Sequence, residues 1–222
     1  MKTNVRRLTM YALFSALAYV AMLFIRIPVV MFLKYEPKDV IIALGSFILG
    51  PVSAIIISLI TSLAEFLTVS DTGWIGLLMN FLSSACFAGV AGLVYWKKRT
   101  ISGAVIGLTS ATLLTTALML LWNYLITPIY MGYPREAVAE LLIPVFLPFN
   151  LLKYFLDSAL IMMLYKPVSA ALRRTTLLSS SSSAGTSDKT VIRKNITIGV
   201  AVISVVLALS CILLMLVLGG KM

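Results

Sequence analysis

In the stretch "FNLLKYFLD", Asn150, Lys153 and Asp157 stand at i, i+3 and i+7 and so share one face of a helix. Their neighbours are apolar, so an amide, an ammonium and a carboxylate sit where hydrocarbon is expected. Ionisable groups at such positions normally face an interior cavity or one another. Two uses are open: Lys153 pairs with Asp157 one turn away, or it serves a ligand while Asp157 balances its charge. A carboxamide offers a donor and an acceptor side by side, which matches the imide or amide edge of a heterocycle. Asn150 is one such group and Asn123, five residues before Pro128, is a second. The aromatics Phe149, Trp122, Tyr124, Tyr154 and Phe155 flank these positions. They suit either packing and lipid contact or the faces of a flat, polar-edged ligand.

Position along the helices adds to this. At a rise of about 1.5 Å per residue, Glu65, Asn80, Asn123, Asn150 and Lys153 all fall within the outer halves of their predicted spans. The inner halves carry little that is polar beyond small hydroxyls. Polar groups from four helices at one depth predict a pocket open to the outside.

The elements that must position these groups are membrane helices. The 222 residues are 60% hydrophobic and 12% charged, with a mean hydropathy of +1.04, far outside the soluble globular range. Apolar runs of about 20 residues cross a hydrocarbon core of roughly 30 Å as helices, and lipid tolerates few other backbone solutions. The sequence predicts spans over 8–27, 39–49, 51–69, 74–96, 102–126, 148–165 and 196–218. The second is short, and Gly50 with Pro51 predicts a tight turn into the third. Segments 28–38 and 128–144 read as ordered, partly apolar loops. The run "LLSSSSSAGTSD" reads as a flexible linker. The expected organisation is therefore an all-α membrane domain of six helices over 1–174, a Ser-rich cytoplasmic linker over 175–195 and an additional transmembrane helix over 196–222. No repeat of fixed period is present.

Of the 18 Lys and Arg residues, 12 fall on the face that holds the N-terminus and five on the other. That asymmetry predicts a multi-pass membrane protein with a cytoplasmic N-terminus. The net charge of +10 then follows from topology and needs no nucleic acid. The first apolar run is too long, and continues into too many further helices, for a cleaved signal peptide. Cys86 and Cys211 both fall within spans and read as packing residues, not as a disulfide or a metal site.

With no histidine, Ser/His hydrolysis and H-E-x-x-H zinc chemistry are excluded. The chain has no G-x-x-x-x-G-K-[ST] loop, so any ATP-driven step requires another chain. Its eight acids are scattered instead of clustered for a metal. The sequence predicts a binding protein, not an enzyme.

Four stretches, "FLKYEPKDVIIALGSFILGPVSA", "MNFL", "LWNYLITPIYMGY" and "FNLLKYFLDSALIMMLYKPV", resemble the substrate-binding S component of energy-coupling factor (ECF) vitamin transporters, most closely the riboflavin-specific type. The similarity spans residues 5–174 in order, with N-x-x-K on the last core helix and Asn-Tyr before a Pro on the fifth. It implies a six-helix fold with an extracellular pocket closed by the loop between helices one and two, and riboflavin as transported ligand with no other cofactor. It also implies that Asn123, Asn150 and Lys153 hold the polar edge of the isoalloxazine, that Glu36 or Asp39 lies near the ribityl chain, and that Lys34 and Asn80 are secondary candidates. Ala12 and Ala16 form a small-x-x-x-small pair on helix one. The resemblance makes that face a docking surface for a membrane scaffold subunit that carries two ATPase subunits. The last predicted helix departs from the family pattern and reads as a passive appendage. Two other readings stay open: an S component for another vitamin, such as thiamin or pantothenate, and a small-solute facilitator, which would need a polar path through the inner leaflet.

Overall fold

The structure is a computed structural model that describes residues 2–30, 33–70 and 72–174. The expected linker and final helix lie outside the described residues. The chain runs α1 (Lys2–Phe24), a hairpin of β1 (Ile27–Val30) and β2 (Leu33–Tyr35), α2 (Lys38–Leu49), α3 (Pro51–Thr68), α4 (Gly73–Lys97), α5 (Ile101–Met131), α6 (Arg135–Leu141), a π turn (Leu142–Phe146) and α7 (Leu147–Arg174). Since α6, the π turn and α7 form one unbroken helical path, the described fold is the expected bundle of six helices. Five of them are long and apolar enough to cross a membrane.

The exception is α2, which organises the rest. Its 12 residues span only about 18 Å, and nine of them are buried. Val40, Ile42, Ala43, Leu44 and Phe47 pack into the core, and α2 touches α1, α3, α4 and α7. Gly50, at φ 103°, turns the chain directly into α3 with Pro51 at the first helical position. A side chain on L residues disfavours that φ, so glycine is required there. Because α2 is too short to cross, its first residues, Lys38 and Asp39, start well inside the bundle, and the hairpin folds in to meet them.

Close approach of α2 and α4 depends on Gly92, where an added Cβ would stand 1.9 Å from Ser46 Oγ and 3.0 Å from Ser46 Cβ. Gly92→Val is therefore expected to cost about 1–3 kcal/mol through overpacking, read as a lowered thermal midpoint of the detergent-solubilised protein. An unchanged midpoint would show that α2 and α4 can separate freely. At the same end of the bundle, Phe47 stacks on Tyr95 at 4.4 Å and meets Tyr165 edge-on at 5.8 Å. The two tyrosine hydroxyls bond each other.

Two expectations are corrected. Segment 28–38 holds an antiparallel hairpin, with Ile27 opposite Tyr35 and Pro28 opposite Lys34. Segment 128–144 is largely helical: α5 continues through Pro128 to Met131 and is closed by Gly132 at φ 67°, and α6 follows. Proline removes one backbone donor, but in a membrane bundle neighbouring helices and local π geometry absorb the loss. Pro144, within the π turn, and Pro148, four residues on, are the second instance.

A buried polar layer beneath the hairpin

Two charged networks meet at the N-terminus of α2. In the first, Lys38 lies 2.9 Å from Glu36 and bonds Glu65 of α3 directly. Arg26, just after α1, reaches Glu36 at 2.9 Å and Glu65 at 3.8 Å, and donates to the Val69 carbonyl at 3.1 Å. Asn80 of α4 donates to Glu65 at 2.9 Å. Lys38 is 1% exposed, so the network is what makes an ammonium tolerable there. Buried charges persist only when paired and hydrogen-bonded.

In the second, Lys153 of α7 pairs with Asp39 at 2.8 Å, and Ser84 of α4 donates to the other Asp39 oxygen. Of the two uses left open for Lys153, the pair with Asp157 is not the one the fold makes: its carboxylate is Asp39, from another helix. Asp157 instead accepts a 3.0 Å bond from the Tyr35 hydroxyl of the hairpin. Burial, followed by the charge of Asp157, pushes the Tyr35 phenol far above its ordinary pKa, so it stays a donor. Lys153 also lies 5.1 Å from the ring centroid of Tyr154.

The two amides are buried on α5 and α7, which pack against each other. Asn150 (4% exposed) shares the inward face of α7 with Tyr154, Asp157 and Ile161, as the helical spacing predicts. Its Nδ2 donates to the Phe146 carbonyl at 2.8 Å, at the end of the π turn. Widened turns of this kind offer carbonyls that a regular helix would occupy. Asn123 (2% exposed) donates to the Met119 carbonyl at 2.7 Å and accepts from Thr127 at 2.9 Å. Thr127 in turn borders a small crevice between α4 and α5, lined also by Gly76, Met79, Trp122 and Ile126.

Above the layer the hairpin is seated by apolar contacts. Leu33 packs with Val138, Phe146 and Phe149, joined by Val29. Lys34 sits half-buried on β2, opposite Pro28. Of the flanking aromatics, Tyr154 stacks on Phe87 at 4.9 Å within the core, whereas Tyr124 and Phe155 are exposed on the bundle surface. Cys86 of α4 is half-buried and accepts the Thr115 hydroxyl at 3.4 Å.

The structure thus joins Glu36, Asp39, Glu65, Asn80 and Lys153 in the charged layer and adds Arg26, Tyr35 and Lys38. Asn123 and Asn150 are held within their own helices. Arg26, Tyr35 and Lys38 escaped the sequence reading because charges and a tyrosine next to a proline in a connecting segment look like solvated surface. The one available signal was "EPKD" itself, in which an acid, a lysine and a second acid lead straight into an apolar helix.

Comparison with known proteins agrees with this fold. The family model described as "ECF transporter, substrate-specific component" matches residues 6–165. The riboflavin transporter RibU of Staphylococcus aureus is 30% identical over 179 residues, covering 76% of this chain and 93% of that protein. RibU of Streptococcus thermophilus is 31% identical over 184 residues, covering 77% and 86%. The solved S component of a bacterial ECF transporter superposes with a TM-score of 0.65 at 30% identity, covering 77% of this chain and 99% of that one. The chain is a membrane protein that belongs to the family of substrate-specific components of ECF transporters.

Proposed function

We propose that the chain captures riboflavin from outside the cell and delivers it inward together with ECF partner subunits. The observation that carries this reading is the pair of buried amides, Asn123 on α5 and Asn150 on the adjoining α7, together with the Lys153 ammonium one turn from Asn150 that Asp39 holds in place. Each amide has one N–H tied to its own helix, so the second N–H remains for a ligand, and each carbonyl can accept two bonds. The Lys153 ammonium has three donors; Asp39 takes one and fixes the head group. These groups match the alternating donors and acceptors of a flavin's pyrimidine edge. Glu36 or Asp39 would face the ribityl hydroxyls, with Lys34 and Asn80 as secondary contacts.

The far end of the bundle, packed by Phe47, Tyr95 and Tyr165, favours capture over a through-going solute path. Inward release then depends on partners: a membrane scaffold subunit docking on Ala12 and Ala16, and ATPase subunits behind it. The basic asymmetry of the loops supports a cytoplasmic N-terminus.

The direct test is the absorption of the detergent-purified full chain, and its quenching of riboflavin fluorescence. Wild type is expected to carry or bind flavin, and Asn150→Ala to weaken binding about 10- to 100-fold through the loss of one buried hydrogen-bonding group. A colourless wild type that fails to quench riboflavin, yet quenches or binds thiamin or pantothenate, would reassign the substrate.

A further inference from the structure

We infer that Thr127 is a positioning residue for Asn123: its hydroxyl holds the amide's carbonyl oxygen, so that Asn123 offers its ligand chiefly an N–H. The first support is what that hydroxyl bonds. Thr9, Ser58, Thr61, Thr68 and Ser158 lie within helices, and each donates to the backbone carbonyl four residues before it. Such back-bonding is the ordinary local use of a helical hydroxyl. Thr127 reaches back the same four residues, yet it donates at 2.9 Å to the side-chain oxygen of Asn123.

The second support is that the amide can stand only one way round. Its Nδ2 lies 2.7 Å from the Met119 carbonyl, and a carbonyl only accepts, so the nitrogen belongs on that side. Oδ1 therefore faces Thr127, and the hydroxyl is the donor. Turning the amide over would set its oxygen against the Met119 carbonyl. Asn123 and Thr127 are 2% and 5% exposed, so water has little access to compete for these bonds. One N–H and one oxygen lone pair are left over. Donation into the oxygen also polarises the amide, which strengthens the remaining N–H as a donor.

Asn150 has no such arrangement. Its Nδ2 bonds the Phe146 carbonyl in the same manner, but the residue four positions on is Tyr154, whose ring stacks on Phe87 and whose hydroxyl bonds Ser83. The Asn150 oxygen therefore has no counterpart of Thr127 and is the one left to accept. Two amides of opposite polarity suit a ring edge that sets a carbonyl beside an N–H, as a flavin's imide does. That assignment of ligand atoms rests on the riboflavin reading; the hold of Thr127 on Asn123 does not.

The test uses the detergent-purified full chain, isotope-labelled on its asparagines. The side-chain amide resonances of Asn123, identified by their loss in Asn123→Ala, are expected to shift in Thr127→Val, which keeps the shape and removes the hydroxyl. They should return close to their wild-type positions in Thr127→Ser. Resonances unmoved in Thr127→Val overturn the hold on the amide. Riboflavin Kd is expected to rise about 3- to 10-fold in Thr127→Val through one weakened hydrogen-bonded group, and to be close to wild type in Thr127→Ser. In an Asn123→Ala background, Thr127→Val should add nothing, because the hydroxyl acts only through the amide. A Kd unchanged in the single variant, whatever its thermal midpoint, overturns the positioning role, and so does a loss that adds in full to that of Asn123→Ala. Should Thr127→Val fail to fold, Thr127→Ala takes its place with the same expected outcomes. If wild type binds no flavin, the amide resonances still decide the hold on Asn123 and the riboflavin reading alone falls.

Discussion

Asp39→Ala is expected to be among the most damaging single substitutions in the polar layer, lowering stability by about 3–5 kcal/mol, because it leaves the Lys153 ammonium buried without its carboxylate. Lys153 lies 2.8 Å from Asp39 and only 11% of its side chain is exposed, so it cannot reach water without moving α7. The Ser84 hydroxyl, which bonds Asp39, loses its acceptor as well. Removing both charges together should be far milder: Asp39→Leu with Lys153→Met deletes the unpaired ion and keeps the volume apolar. The double variant is expected to recover most of the thermal midpoint of wild type while binding no flavin, since the ammonium that would face the ligand is gone. This separates the pair's two roles. A single Asp39→Ala as stable as wild type would show that Lys153 has another way to hold its charge. A double variant that still binds flavin would remove Lys153 from the site.

The helices, their order and the break at Gly50 were legible because membrane burial writes long apolar runs and because Gly-Pro has a local meaning. The shared face of Asn150, Lys153 and Asp157 was legible for the same local reason: helical spacing fixes it. What spacing cannot give is the partner on another helix. Lys153 looked one turn down its own helix to Asp157, whereas the fold delivers Asp39, carried in by an α2 too short to reach the membrane surface. Pro128 and Pro144 suggested helix ends, as they would in water. In the bundle the missing donors are absorbed by neighbouring turns, and the π turn before Asn150 supplies the carbonyl that orients its amide. The hairpin was the least legible element, since strands of four and three residues carry no periodicity to read. Its importance lies in Arg26, Tyr35 and Glu36, which engage charges from three helices, Lys38 of α2, Glu65 of α3 and Asp157 of α7.

Ala16→Trp, alone or with Ala12→Trp, is expected to leave riboflavin binding in detergent unchanged and to abolish uptake in cells that contain the partner subunits. On α1, Met10, Phe14, Ala18 and Met22 are buried at every fourth residue. Ala12 and Ala16 follow two residues behind this stripe, about 200° around the helix, and both are exposed. Their neighbours Leu13, Leu17 and Val20 are exposed too, so the two alanines form a low strip between larger side chains. In lipid, where apolar burial gives little drive for association, small residues of this kind let a second helix approach closely enough for backbone and side-chain packing. An indole at Ala16 would fill the strip without reaching the core or the polar layer, both of which lie on the opposite side of α1. Co-purification of scaffold and ATPase subunits with the tagged chain should therefore fail in parallel with uptake, while fluorescence titration still reports the wild-type Kd. If the variant retains both partners and transport, the docking surface lies on another face. Loss of binding along with transport would instead mean that α1 communicates with the layer through Arg26, which continues from its end into the Glu36 and Glu65 pairs.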